Sequence, residues 1–271
     1  MNCRRAVISW AGAALLLAGC TTATPAPDLS GLLPTPLLLL GEQHDAPDHQ
    51  RLQRQTLRQL AERGQLAALV LEMVERDRQT SGLPPDASET RVREALDWTG
   101  EQNAGAWSWA VYGPLVMDAV RASVPVLGGN LPRAQMRAVM GESGLDTTLP
   151  AAALQQQREN IRTGHCGLLP ESQIVPMTRI QLARDRALAQ TAQQALRTGQ
   201  TVLLVAGHQH VRRDIGVPQH LPPDQPLQVV VALAGADASG GSAADRVWRT
   251  APTTPVDHCA ELRQQWGQGP R

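Results

Sequence analysis

The chain has 271 residues, 42% of them hydrophobic, with 25 basic side chains balanced by 25 acidic ones. That length buries a substantial core as one domain with insertions, and the neutral balance excludes the electrostatic footprint of a nucleic-acid binder. Lysine and phenylalanine are absent and tyrosine occurs once, so the core must come from Leu, Val, Ala and a few Trp, and no arginine is functional merely for not being lysine.

Met1 to Cys20 reads as a targeting segment. Arg4 and Arg5 form its positive start, and Val7 to Ala18 is an apolar run too short to span a bilayer. It ends Leu17-Ala18-Gly19-Cys20, which resembles the lipobox of bacterial lipoproteins. The resemblance implies a signal peptide over residues 1–19, lipid on Cys20, and attachment to a membrane through that lipid. Thr21 stands where an inner-membrane lipoprotein often carries Asp, so the expected address is the bacterial envelope, at the outer membrane facing the periplasm. Residues 20–35, rich in Thr, Pro and Ala, have the composition of a flexible tether, which leaves 36–271 as a single α/β domain.

Leu37 to Leu40 is a continuous apolar run that ends in Gly41-Glu42-Gln43-His44-Asp45, and Val202 to Ala206 is a second that ends in Gly207-His208-Gln209-His210. Short apolar runs bounded by turn residues predict strands buried on both faces of a parallel sheet. Ligands in such sheets sit outside the carboxyl ends of the strands. Neighbouring strands lie roughly 5 Å apart, so if these two are neighbours, Glu42, His44, His208 and His210 converge on one cleft. Either loop alone reads equally well as a turn glycine beside exposed histidines; two in the same register favour a site.

Between these loops, Leu52, Leu57 and Leu60 predict a helix with Asp45 or Asp48 as its cap, Pro47 in its first turn and Gly64 as its stop. Leu69-Val70-Leu71-Glu72 is a buried strand that brings Glu72 to the same edge; a charge at the start of a helix is the competing reading. Residues 80–88 read as a loop, 91–98 as a short helix, 100–105 as a connection, and 106–124 as a longer helix in which Pro114 marks a break or a first turn. Trp107, Trp109 and Tyr112 predict a buried aromatic cluster or the flat wall of a ligand site. Pro125 to Asn130 is a third strand, followed by a helix whose Arg133 or Arg137 could reach a carboxylate ligand. Residues 150–162 are helical, Gly164 to Pro170 form a loop, and Glu171 to Arg197 form a long helix ended by Gly199. Leu227 to Leu233 and Arg246 to Thr250 are further strands, and the end is a polar, Gln-rich tail. This order predicts an α/β fold, with a mostly parallel central sheet flanked by helices and carrying helical insertions.

Outside the targeting segment only Cys166 and Cys259 remain. In an oxidising compartment they are most simply one disulfide, closing about ninety residues and worth roughly 4 kcal/mol on chain-entropy grounds. Each follows a histidine, so a thiolate and imidazole metal site is the alternative, without the usual CxxC spacing.

Several of these stretches, taken in order, resemble the ChaN family of haem-binding lipoproteins, within the wider Tiki and erythromycin-esterase-like superfamily. They are Gly41-Glu42-Gln43-His44-Asp45, Leu71-Glu72-Met73, Trp109 with Tyr112 and Pro114, Asn130-Leu131-Pro132-Arg133, Gly164-His165-Cys166, Gln181 with Arg184-Asp185, and Gly207-His208-Gln209-His210 running on to Pro218. The likeness implies a non-enzymatic, periplasm-facing lipoprotein that binds haem and its iron, assists haem uptake, and pairs as a homodimer. It implies iron held by tyrosine, here Tyr112, or by His220, which stands where relatives often carry an aromatic. His210 joins them as a haem contact, and Arg133, Arg212 and Arg213 become partners for the propionates, against the plain reading of solvated surface charge. Superfamily relatives use the same loops for hydrolysis. On that alternative Glu42, His44, Glu72 and His210 are catalytic, with His44, His210 and Glu42 holding a divalent metal. A third reading is a decayed site that serves as an interaction surface.

Overall fold

A computed structural model describes residues 26–98, 107–236, 243–254 and 256–267; the targeting segment, Cys20 and the connection at 100–105 lie outside them. Six strands form one sheet: β1 (Leu37–Glu42), β2 (Leu66–Glu75), β3 (Val126–Asn130), β4 (Thr201–Gly207), β5 (Gln228–Ala234) and β6 (Arg246–Thr250). Their order is β3-β2-β4-β1-β5-β6, and every neighbouring pair is parallel. β4, late in sequence, is thus inserted between β1 and β2, and the two Gly-x-Gln-His loops leave adjacent strands with Glu42 opposite Gly207.

The apolar runs are continuous because both faces of the sheet are covered. Successive side chains point to opposite faces. Leu38 and Leu40 pack with Leu57 and Leu60 of α1 (Pro47–Glu62) and with Leu115 and Val116 of α3 (Trp109–Arg121). Leu37 and Leu39 share the other layer with Leu188, Ala189 and Ala192 of α6 (Glu171–Gln194). A smaller cluster, including Leu131, Val139, Leu145, Leu154 and Leu182, joins α4 (Arg133–Met140) and α5 (Ala151–Gly164) to α6. The short helix α2 (Glu89–Ala95) contributes Val92 to the first layer.

Three local expectations are corrected. The N-cap of α1 is Ala46, with no side-chain cap bond. A residue before proline is driven towards extended backbone, so Pro47 fixes the cap one residue after Asp45 and leaves Asp48 inside the first turn. Pro114 neither breaks α3 nor sits in its first turn; the helix runs through it, at the cost of one backbone hydrogen bond. The polar tail contains a helix, α7 (His258–Gly267), which the disulfide Cys166–Cys259 ties to the loop after α5 across 5.7 Å between Cα atoms.

Candidate functional site

The site is assembled where β1, β2 and β4 end side by side. Close approach of their loops demands glycine: a Cβ on Gly41 would lie 2.9 Å from the Cα of His208. A Cβ on Gly207 would come 3.2 Å from His44 Nε2 and 3.5 Å from Glu72 Oε2. The β1 loop is fixed from the opposite side by Gln43, whose backbone N–H donates to His49 Nδ1 at 3.0 Å and whose Oε1 accepts from the Ala234 N–H at 2.8 Å. His49 is buried, which holds its pKa down despite the nearby Glu42 charge, and serves the loop as a neutral acceptor.

Glu42 is almost wholly buried. The Tyr112 hydroxyl donates to its Oε1, and the side-chain amides of Gln50 and Gln53 donate to its Oε2 at 2.7 and 2.5 Å. Tyr112 is itself enclosed; burial first, then the Glu42 charge, pushes its pKa far up and keeps the hydroxyl protonated. His44 stands over this group, with Nδ1 3.1 Å from Glu42 Oε1 and 3.0 Å from the Tyr112 oxygen, and its ring edge-on to Trp107.

The second carboxylate, Glu72, lies within β2 rather than at its tip. The strand continues to Glu75, through an irregularity in its pairing with β3 after Leu71 of the kind that re-aims side chains. Its Oε2 accepts the Gly207 N–H at 2.7 Å, and its Oε1 lies 3.2 Å from His210 Nε2. His210 Nδ1 lies 2.5 Å from Asp185 Oδ1 on α6. Burial opposes charge on His210, but Glu72 and Asp185 together outweigh it and raise its pKa well above the ordinary imidazole value. The same imidazole, against the cost of burial, draws Glu72 far below the carboxylate range. Asp185, fully buried and with Oδ2 unpartnered, is pushed upward by burial. His44 links the two groups, its Nε2 3.8 Å from Glu72. Burial lowers its pKa, but the Glu42 hydrogen bond and the Glu72 charge more than reverse this, so it is raised overall.

Above this floor is a cavity of about 440 Å³, lined among others by His44, His165, His208, His210 and His258. Five of the chain's seven histidines therefore face one space. Gln157, Asn160 and Ile161 of α5 form a further wall.

The structure brings Glu42, His44, Glu72, His208, His210 and Tyr112 together and sets His220, Arg133, Arg212 and Arg213 apart. His220 lies in the 3-10 turn Val217–His220 against α6, outside the cavity lining, where burial and then the Arg186 charge lower its pKa to about 4. Arg212 pairs with Asp214 at 2.6 Å and Arg213 with Asp245 at 2.5 Å. Arg133 opens α4 beside a separate, smaller cavity that Arg184 also lines. Glu42, His44 and His210 do not converge as a metal-ligand set, and no group of three His, Cys, Asp or Glu side chains among the described residues does. The aromatic cluster is core: Trp98 packs on Trp109 and Tyr112, and Trp107 reaches the site against His44. Gln50, Gln53 and Asp185 complete the floor without having been singled out as site residues from the sequence, and His165 and His258, expected only as partners of Cys166 and Cys259 in an alternative metal site, line the cavity beside the disulfide.

Residues 30–221 match the family described as haem-binding uptake, Tiki superfamily, ChaN. The chain belongs to the ChaN family. The match takes in both Gly-x-Gln-His loops and ends before β5, β6 and α7, so His258 and Cys259 lie beyond it. A solved ChaN structure from Campylobacter jejuni, described as showing cofacial heme binding, has the same fold with a TM-score of 0.60. It is 22% identical and covers 75% of this chain and 84% of its own. The structure of the type III effector HopBA1 matches with a TM-score of 0.40 and 12% identity, over 80% of this chain and 88% of its own. No curated protein matches.

Proposed function

We propose that this protein binds haem in the cavity above β1, β2 and β4 and assists haem uptake at the bacterial envelope. The observation that carries the reading is the convergence of five imidazoles on one cavity of about 440 Å³ in a member of a haem-binding family. Imidazole is an established haem-iron ligand, and the volume falls within the range of small-molecule sites, so the donor set and the space fit a partly inserted porphyrin. The lipobox-like end of the targeting segment supports lipid on Cys20, with the domain held at the outer membrane on the periplasmic side. Two copies would present their open cavities to one another as a homodimer.

The hydrolytic alternative finds less support in the same floor. Glu42 is closed off by the donors around it, and His210 is held on both ring nitrogens by carboxylates. His44 faces the cavity with its pKa held down by burial but raised overall by the Glu42 hydrogen bond and the Glu72 charge. Titration of the purified mature protein with haemin tests the proposal: a saturable Soret shift at micromolar protein is the expected result. No shift, or one that grows linearly without saturating, would end it.

A further inference from the structure

Resting on the haem reading, we infer that the disulfide Cys166–Cys259 is a thiol-controlled strap across the haem cavity. Oxidised, it holds α7 at the mouth; reduced, it lets α7 swing away and haem exchange. The bond sits at the rim of the site. Cys166 follows His165 in the loop after α5, Cys259 follows His258 at the start of α7, and both histidines line the cavity. One covalent link thus joins two walls that are 93 residues apart in the chain. The His258 side chain is 64% exposed, which puts it at the mouth rather than on the floor, and its Nε2 meets Asp45 of the β1 loop at 3.6 Å. Asp45 lines the same cavity, so the strap reaches from α5 across to β1.

An element built like α7 can be controlled by one bond. From His258 to Gln264 its side chains are all exposed or half-exposed, so they bury little apolar surface to secure the helix. Exposed ion pairs such as that of His258 with Asp45 add little. The three apolar clusters of the domain include no described residue of α7, so the core stays complete when the strap opens. The chain from Thr250, where β6 ends, to His258 then acts as a tether, with a reach of roughly 25–30 Å when extended. Neither cysteine is buried, which gives an attacking thiolate the access that exchange requires. The step is a two-electron exchange with an external dithiol. Its thiolate attacks one sulfur, the S–S bond breaks and a mixed disulfide forms. Its second thiol then closes the reductant's own disulfide, and its two protons leave Cys166 and Cys259 as thiols.

The test compares the oxidised mature protein with the same protein reduced by dithiothreitol, alkylated with iodoacetamide and freed of reagent. Both are loaded with haemin, and transfer of haem to excess apomyoglobin is timed. Reduction should speed transfer at least about tenfold, because affinity changes at one site fall mostly on dissociation, while the far-ultraviolet circular dichroism stays that of the oxidised form. The double variant Cys166→Ser, Cys259→Ser should transfer at the fast rate with or without dithiothreitol, and the reduced wild type decides the matter should that variant fail to fold. Equal rates in the oxidised and reduced proteins would overturn the inference while leaving haem binding intact. Fast transfer accompanied by loss of the circular dichroism would overturn it too, since the bond would then hold the fold and not the mouth. Absence of any saturable Soret shift in the oxidised protein would overturn the haem reading itself, and the failures are therefore distinct.

Discussion

Glu42 and Glu72 are buried at the same sheet edge, on strands separated only by β4, yet their surroundings differ in kind. Glu42 is met largely by neutral donors, the Tyr112 hydroxyl and two glutamine amides, with His44 above. Glu72 is met by a backbone N–H and by an imidazole that it shares with a second buried carboxylate. Neutral donors satisfy a carboxylate without desolvating another charge, so each can be lost at the cost of one hydrogen bond. An ionic group gains coulombic energy in the interior but repays desolvation only while every member is in place. The first arrangement is a cradle, the second a keystone.

The largest expected effect follows from removing the keystone. His210→Ala leaves Glu72 and Asp185 without their shared counter-charge, and breaking a buried pair in this way costs about 3–5 kcal/mol. Urea unfolding of the folded domain measures it. Adding Asp185→Asn to the same chain should recover part of the loss, because one of the two stranded carboxylates is then neutral. If the double variant is as unstable as the single one, the two carboxylates are not coupled through His210 and the comparison fails.

Tyr112→Phe probes the cradle. The ring keeps its packing against Trp98, and Glu42 keeps the two amides and His44, so the expected loss is that of one buried hydrogen bond, about 1–3 kcal/mol. The same unfolding measurement gives the ranking. A loss larger than that of His210→Ala would invert it and make the hydroxyl, not the imidazole, the critical member of the floor.

Part of this contrast is legible in the sequence alone. Strands covered on both faces leave unbroken apolar runs, so β1, β4 and their glycines can be read directly, while the meeting of Glu42 with the second loop depends on the two strands being neighbours, which the sheet order supplies. The partners of the carboxylates leave fainter traces. Gln50 and Gln53 lie on the buried stripe of α1 with Leu52 and Leu57, and Asp185 lies on the buried face of α6 with Leu182, Ala183 and Leu188. Polar residues on an apolar face are the available signal. Periodicity does not tell whether Tyr112 faces core or cavity, because an aromatic stripe has the same spacing either way. Nor does it find α7, whose short, polar sequence lacks an apolar stripe and which is held by the disulfide and the contact of His258 with Asp45.

The third contrast separates the two carboxylate sites by pH. The pKa of His210 is raised on folding above its ordinary value of 6.5. Its contribution to stability is therefore complete below that value and is lost as pH rises towards the folded value. Within this window the native state holds a proton that the unfolded chain has released, so the unfolding free energy should fall by about 1.4 kcal/mol per pH unit between about pH 7 and 9. His44, also raised, adds in the same direction. Glu72 acts with the opposite sign, since its lowered pKa stabilises above its ordinary 4.5 and is forfeited in acid, where the upward shift of Asp185 partly offsets it. The alkaline limb is thus the cleaner one to measure. His210→Gln should flatten it to the part left by His44, while Tyr112→Phe, which lowers stability without removing a charge that titrates there, should shift the curve down and keep its slope. Equal slopes in the wild type and His210→Gln would mean that the imidazole between Glu72 and Asp185 is not the proton holder, and the ionic reading of that site would fall.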